Sequence, residues 1–131
     1  MAISKANLWI GRVLSGLVAL FLLFDGAMKL VKPAFVVEGT LKYGYSESTL
    51  IPLGIVLVIS TILYLVPSTS VLGAILLTGY LGGAVATHVR AGEGPFPIFF
   101  PVVFGALLWL ALYLRDLRLR ALVPLTVKNE Y

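Results

Sequence analysis

The sequence predicts an all-α fold: an integral membrane four-helix transmembrane bundle with a short interfacial helix between helices one and two. The first observation is composition, since 60% of the residues are hydrophobic and 12% are charged, against about 45–50% and about 25% in soluble domains. The second is a mean hydropathy of +1.02. The third is a set of four apolar segments of about 17 to 23 residues, each long enough to cross a hydrocarbon core about 30 Å thick.

The four segments belong to one domain, because 131 residues are too few for two domains of ordinary size. The short connection from Pro67 to Ser70 makes the second and third helices antiparallel neighbours. Basic residues precede the first segment, as in a signal peptide, but no small-residue cleavage site follows it, so we expect it to be retained. Within the single domain 1–131, the predicted spans are about 8–30, 50–66, 71–89 and 96–114, and a cytoplasmic tail covers 115–131.

The connection after the first helix is longer and predicts a short helix of its own. Pro33 suits the start of such a helix, and Gly44 suits its end. Phe35, Tyr43 and Tyr45 are aromatic residues of the kind that lie between hydrocarbon and water. We therefore expect this helix to lie on the membrane surface or to pack over the mouth of the bundle.

The distribution of charge predicts the orientation. Four spans place both termini on the same side, where six basic residues face two acidic ones, whereas the other side has four of each. Basic residues are enriched on the cytoplasmic side of membrane proteins. Both termini are therefore predicted to be cytoplasmic in a multi-pass protein of the cell membrane, and a polar mouth is expected on the non-cytoplasmic side.

Asp25 and Lys29 interrupt the apolar end of the first helix, in the stretch LFLLFDGAMKL. At the three-four spacing of a helix, both follow a face that Gly11, Ser15 and Leu22 show to be mostly small or polar. Small residues in membrane helices face neighbouring helices, so Asp25 is expected to point inward, within reach of the third helix. Two interpretations stay open: a ligand-binding pair, or an ion pair at the membrane surface that contributes only about 0.2–0.5 kcal/mol.

The third helix carries Gly79 and Gly83 at the small-xxx-small spacing that predicts helix packing, either within the chain or against another chain. His88 falls on roughly the opposite side of this helix. Histidine changes protonation near neutral pH, which makes His88 a candidate ligand-binding residue, although a role at the helix terminus is the alternative. Tyr80 can offer a hydroxyl group to an internal cavity, and Trp109 on the fourth helix can offer a ring.

Composition also limits the chemistry. The chain has no Cys and one His, so thiol catalysis and thiolate metal sites are excluded, and a multi-histidine site is unfavourable. No metal site is predicted, and no flavin, haem or iron–sulfur site is evident. Basic residues flank apolar spans instead of forming a cluster interleaved with aromatic residues, so nucleic acid is not an expected partner. The expected partners are membrane lipid and a hydrophobic small molecule.

The stretches FDGAMKLVKP and GYLGGAVATHVRAGE, with the YLVP end of the second helix, resemble the DoxX-like family of small bacterial membrane proteins. The resemblance covers nearly the whole chain, and the helix-three stretch is its most specific part. It implies a four-helix bundle in the bacterial inner membrane, with links to quinone chemistry, thiosulfate oxidation and redox-stress complexes. Related eukaryotic four-span proteins look like assembly factors, which implies a non-enzymatic alternative.

The resemblance also implies candidate residues. It maps the polar end of the first helix onto Asp25 and Lys29. It maps the helix-three motif onto Thr87, His88 and Arg90. One departure weakens any transferred activity: family members often carry a glutamate in the second helix, where this chain has Leu57 within LGIVLV.

Three functions compete at this stage. The first is a redox-associated protein that binds a quinone or a similar hydrophobic molecule, because polar groups above an apolar interior suit a ring with carbonyl or hydroxyl groups. The second is a non-catalytic partner subunit or assembly factor, either as a homo-oligomer or beside another membrane protein. The third is a small transporter, which the crowding of charge at one membrane boundary disfavours. An accessory role in a redox system is favoured over an independent enzyme.

Overall fold

The computed structural model describes residues 3–123, most of which are helical. Four helical segments are long and apolar enough to cross a membrane, which confirms the predicted all-α, four-span fold. Single turns of tighter helix at Glu47–Thr49 and Pro67–Thr69 lead into two of the long helices. The helices are α1 (Lys5–Val31), α2 (Ala34–Lys42), α3 (Leu50–Leu65), α4 (Ser70–Arg90), α5 (Pro95–Arg115) and α6 (Leu117–Arg120).

The helix ends follow local chemistry. Helix α1 begins at Lys5, earlier than predicted, because the Ser4 hydroxyl accepts a hydrogen bond from the backbone N–H of Asn7 at 3.2 Å and so caps the first turn. Helix α2 is the short helix expected between the first two spans. It ends shortly before Gly44, whose φ of +85° is a left-handed conformation that glycine adopts without strain.

The four long helices form a ring, in which neighbours pack in the order α1, α3, α4, α5 and back to α1. Helices α1 and α4 therefore lie diagonally across the bundle. The α3–α4 turn is at one end of the ring, which we call the hairpin end. Helix α2 and the α4–α5 connection are at the other end, which we call the α2 end. Helix α2 has no buried residue, and its main packing is against the turn before α3.

Leucine side chains and one tyrosine fill the centre of the bundle. Leu57 and Tyr64 of α3, Leu77 of α4, and Leu108 and Leu112 of α5 are all fully buried. Large apolar side chains also cover the outside of the long helices. An apolar surface of this extent is expected of a protein that contacts lipid, so burial and exposure agree with the membrane-spanning assignment.

Glycine allows the closest approach between helices α3 and α4. A Cβ atom on Gly73 would lie 2.2 Å from the backbone nitrogen of Tyr64 and 2.5 Å from its Cα. Neither backbone atom can move aside, so any side chain would push the two helices apart. This contact is at the hairpin end and fixes the distance between α3 and α4 there.

A chain of hydrogen bonds joins three helices at the same end. Arg115 Nε of α5 donates to Ser15 Oγ of α1 at 3.0 Å, and Tyr64 OH of α3 donates to the Leu108 carbonyl oxygen at 2.7 Å. Because the Tyr64 proton is committed to Leu108, Ser15 donates to Tyr64 OH, 3.2 Å away. Every buried side-chain hydroxyl among residues 3–123 has a hydrogen-bond partner, as an apolar environment requires.

The segment after α5 turns back on that helix. Arg120 Nε donates to the Tyr113 carbonyl oxygen at 2.7 Å and Nη2 donates to the Leu114 carbonyl oxygen at 2.9 Å. These bonds satisfy carbonyl groups that have no partner within the helix. Residues 124–131 of the predicted tail lie outside the described residues, and the cytoplasmic location of the tail stays a prediction.

Replacing Gly73 by alanine tests the role of the close α3–α4 contact. We expect Gly73→Ala to lower the free energy of unfolding by about 1–3 kcal/mol or more, because overpacking against fixed backbone costs at least that much. The matched control is Gly82→Ala on the same helix, where a Cβ atom would meet nothing within 4 Å, and alanine favours the helix by up to about 1 kcal/mol. Thermal unfolding in detergent, followed by circular dichroism, measures both. Equal losses of unfolding free energy in Gly73→Ala and Gly82→Ala would contradict a close α3–α4 contact at Gly73.

Candidate ligand-binding cavity

The α2 end of the bundle contains an open cavity of about 610 Å³. Helices α1, α4 and α5 form most of its wall, helix α2 lies across it, and the first turn of α3 contributes Leu50 and Leu53. The helices are held closely at the hairpin end by Gly73 and the Ser15–Tyr64–Arg115 bonds, whereas α4 has no close backbone contact of this kind at the α2 end. The cavity occupies the space that this difference creates.

Three phenylalanines form an aromatic wall between α1 and α5. Phe21 lies 4.6 Å from Phe104 between ring centroids, and Phe100 lies 5.0 Å from Phe104 and 5.8 Å from Phe21. All three line the cavity. Aromatic faces at these separations interact favourably with a further ring, so the wall suits a flat, apolar group.

Asp25 and Lys29 lie together on the α1 side of the cavity. Their ion pair is 2.8 Å long, and the side chain of Lys29 is 18% exposed while that of Asp25 is 40% exposed. The Lys29 ammonium is 5.9 Å from the centroid of the Tyr80 ring on α4. Because one ammonium hydrogen bonds to Asp25, two remain for other acceptors. The pair therefore offers donors to the cavity without leaving a net charge there.

His88, Glu93 and Tyr43 form a second polar group. His88 Nδ1 lies 2.6 Å from Glu93 Oε2, and the Tyr43 hydroxyl donates to the other carboxylate oxygen. The Tyr43 ring also packs edge-on against the imidazole, with 5.1 Å between centroids. The hydrogen bond from Tyr43, together with that from His88, holds the pKa of Glu93 below its ordinary value of 4.5. The same bond raises the pKa of the Tyr43 hydroxyl above 10.0.

Two further contacts fasten the segment after α2 to the end of α4. The Arg90 guanidinium donates to the carbonyl oxygen of Tyr43 and lies over the ring of Tyr45. Thr87 Oγ1 donates to the carbonyl oxygen of Gly83 at 2.9 Å, so the Tyr45 hydroxyl must be the donor in its 2.8 Å bond to Thr87. This end of α2 is held by polar bonds to residues 87–93, although the helix itself buries no side chain.

Five of the seven ligand-binding candidates line the cavity, and two lie elsewhere. Arg90 binds the segment after α2, as described. The indole nitrogen of Trp109 donates to Thr78 Oγ1 at 2.7 Å on the outside of the bundle, so this ring is a link between α5 and α4. The five that the structure brings to the cavity are Asp25, Lys29, Tyr80, Thr87 and His88.

Gly79 and Gly83 make no close helix contact within the described residues, and packing of this face against another chain stays a prediction. A Cβ atom at either position would meet nothing within 4 Å. Both glycines line the cavity instead. Helix α4 turns a different face to its neighbours, with Gly73, Ala74 and Leu77 buried in the bundle, and that face includes the close contact with Tyr64.

Several residues of the site were not singled out from the sequence. Glu93 reaches His88 because the chain reverses at Gly92, which has a φ of +69°. In the sequence, a glycine between the end of a helix and a carboxylate is the pattern that indicates such a reversal. Tyr43 was assigned only to the membrane interface, and Phe21 and Phe104 were not distinguished from other apolar residues. Whether these residues come together depends on which helices are neighbours in the ring, and no local sequence pattern predicts which helices are neighbours.

Four membrane-spanning helices around a cavity that opens at one end define a small multi-pass membrane protein with an internal binding space. Residues 13–111 match the DoxX-like family, and since this is most of the chain, the protein belongs to that family. No curated protein and no solved structure matches the chain.

The Glu93 contacts predict a specific titration. A carboxyl group with a lowered pKa stabilises the folded state above its unfolded pKa, and this contribution is lost as the pH falls through the folded value. We therefore expect Glu93 to titrate below 4.5 and its midpoint to rise in Tyr43→Phe, because the hydroxyl is the largest cause of the shift. Carbon-13 NMR of glutamate-labelled protein measures the midpoint, and the signal missing in Glu93→Gln identifies the residue.

The control for this titration is Tyr45→Phe, which removes a hydroxyl that bonds to Thr87 instead of Glu93. The Glu93 midpoint should not change in this variant. An unchanged midpoint in Tyr43→Phe as well would show that the hydroxyl does not hold the carboxylate in solution.

Proposed function

We propose that the protein binds a quinone, or a similar hydrophobic molecule with a polar ring, in the cavity at the α2 end. The observation that carries this proposal is the combination of an aromatic wall with polar side chains at the same opening. Phe21, Phe100 and Phe104 supply flat apolar surface. The Asp25–Lys29 pair and His88 line the same cavity, so they can form hydrogen bonds with the oxygen atoms of such a ring.

The size of the cavity supports a ligand of this class. Small-molecule sites usually occupy about 300–1,000 Å³ and combine mostly apolar walls with a few placed polar groups. At about 610 Å³, the cavity has room for a substituted ring and the first part of an apolar tail. The outer surfaces of the same helices are apolar, so the rest of a tail can extend into lipid.

The electrostatics of the opening favour a neutral ligand. Lys29 is paired with Asp25 at 2.8 Å, and the Glu93 carboxylate is bonded to His88 and Tyr43. A carbonyl oxygen can accept one of the remaining ammonium hydrogens of Lys29. A charged ligand would gain less, because the Lys29 ammonium is already paired and the Glu93 carboxylate already accepts two hydrogen bonds, so neither is free to compensate its loss of water.

A redox role requires a second component. The chain has no cysteine and a single histidine, so it lacks the thiolate and paired imidazole ligands that commonly hold protein redox centres. Electrons would therefore reach or leave a bound quinone through a partner protein, and this chain would supply the binding site. By the charge asymmetry of the sequence, the cavity opens on the non-cytoplasmic side of the cell membrane.

Filling the cavity tests ligand binding directly. We expect Gly83→Leu to weaken binding of a short-chain ubiquinone at least tenfold, or about 1.4 kcal/mol, because the new side chain enters the cavity without a backbone clash. The matched control is Gly82→Leu, where the side chain also has space but Gly82 does not line the cavity. Equilibrium dialysis of the protein in lipid nanodiscs, against empty nanodiscs, measures the affinity.

The outcomes of this test separate the proposals. Tight binding that Gly83→Leu removes and Gly82→Leu keeps supports a site in the cavity. Equal effects of the two substitutions would place binding at the lipid-facing surface and contradict the proposal. If wild-type protein binds no more ubiquinone than empty nanodiscs, the function as a quinone-binding protein fails, and a role as a partner subunit becomes the better proposal.

A further inference from the structure

The hydrogen bonds around His88 define which of its two ring nitrogens carries a proton. An ionised carboxylate only accepts hydrogen bonds, and Glu93 Oε2 lies 2.6 Å from His88 Nδ1. Nδ1 must therefore be the protonated nitrogen. In a neutral imidazole the other nitrogen, Nε2, is then an acceptor without a hydrogen. His88 lines the cavity, so Nε2 is the ring nitrogen left for a ligand.

The neighbouring hydroxyl groups do not compensate for this acceptor. The proton of Thr87 is given to the Gly83 carbonyl oxygen, and that of Tyr45 is given to Thr87. The proton of Tyr43 is given to Glu93. The Lys29 ammonium is bonded to Asp25, on α1. Tyr80 of α4 also lines the cavity, and its hydroxyl belongs with the donors, because its ring lies 5.9 Å from the Lys29 ammonium. The donors of the opening are therefore grouped at Lys29 and Tyr80, whereas His88 presents an acceptor.

The donors and the acceptor distinguish the two oxidation states of a quinone ring. A quinone carbonyl only accepts, so it can bond to Lys29 but would bring its lone pairs against Nε2 of His88. A hydroquinone hydroxyl both donates and accepts. It can therefore give its proton to Nε2 on one side of the ring and accept from Lys29 on the other. A polar group left without a partner in a buried site costs more free energy than a hydrogen bond contributes. A site of this kind can therefore discriminate effectively between the carbonyl and hydroxyl forms of the ring.

We infer that the Glu93–His88 pair makes the cavity selective for the hydroxylated, reduced form of a quinone-like ring over the matched carbonyl form. This inference rests on the proposed function and adds the chemical class of the ligand. His88 acts as the hydrogen-bond acceptor, and Glu93 acts as a positioning residue that holds the proton on Nδ1. Only binding is involved, and no bond of the ligand is made or broken.

The tautomer can be measured without ambiguity, because the chain contains one histidine. Protein labelled with nitrogen-15 histidine, with any affinity tag removed, gives two ring signals, which are recorded in mildly alkaline buffer. We expect Nδ1 to be protonated and Nε2 unprotonated. Addition of short-chain ubiquinol under anaerobic conditions should shift Nε2. Ubiquinol with both hydroxyls methylated should leave Nε2 unchanged.

Affinity gives the second readout. We expect ubiquinol to bind the wild-type protein about tenfold more tightly than ubiquinone in nanodiscs. His88→Ala should bring the ratio of the two affinities close to one. Glu93→Ala should also lower the ratio and populate the Nε2–H tautomer, because the acceptor for Nδ1 is gone. The matched control is Glu47→Ala, which removes a carboxylate that pairs with Lys32 and does not line the cavity, and it should keep the wild-type ratio and tautomer.

The results distinguish this inference from the proposed function. If both ring forms bind in the cavity equally well, or if Nε2 carries the proton in the wild-type protein, the selectivity is refuted while quinone binding stands. If neither form binds above empty nanodiscs, the proposed function itself is refuted. The inference is supported if the preference for ubiquinol over ubiquinone disappears in His88→Ala and falls in Glu93→Ala but is unchanged in Glu47→Ala.

Discussion

The close contact between Gly73 and the backbone of Tyr64 is the constraint on which the rest of the bundle depends. It brings α3 and α4 together at the hairpin end, where a Cβ atom would be 2.2 Å from a backbone nitrogen. The hydrogen bonds from Arg115 to Ser15, and from Ser15 to Tyr64, hold α1, α3 and α5 at the same end. The glycines of α4 at the α2 end, Gly79 and Gly83, make no such close contact, and the space between the helices there is a cavity instead of a packed core.

Polar groups follow the same division. At the hairpin end Ser15, Tyr64 and Arg115 bond to one another and to the backbone. At the α2 end the polar groups form two clusters, Asp25 with Lys29 and His88 with Glu93, and Asp25, Lys29 and His88 line the cavity. No buried side-chain nitrogen or oxygen within residues 3–123 lacks a partner. A bundle surrounded by lipid needs this satisfaction because water is not available to supply it.

Much of the fold could be predicted from the sequence because lipid imposes length and hydropathy on each span. The inward face of α1 was also predictable, since Gly11, Ser15 and Leu22 recur at helical spacing and all three are buried. Gly79 and Gly83 on α4 show where prediction from the sequence stops. Spacing shows that Gly79 and Gly83 share a face, but only the position of the neighbouring helices decides whether that face meets a helix or a cavity.

The candidate site was predictable only in part, for the same reason. Asp25, Lys29 and His88 were accessible because ionisable residues are rare and costly in an apolar chain. The partners of His88, which are Glu93 and Tyr43, come from loops that are 50 residues apart in the sequence, and their meeting depends on how α2 folds back over the bundle. The position of Trp109 was unpredictable for the same reason, since its hydrogen bond to Thr78 depends on the packing of α5 against α4.

Photo-crosslinking is the measurement that tests the central claim most directly, because it reports where a ligand lies. A quinone carrying a photoreactive group on its ring would be added to the protein in native membranes, and the modified peptides would be identified by mass spectrometry. The cavity predicts adducts on α1 between Phe21 and Lys29 and on α4 between Gly79 and His88, with excess ubiquinone suppressing them. Adducts spread over lipid-facing residues such as Leu17 and Leu72, and unaffected by competitor, would contradict the claim.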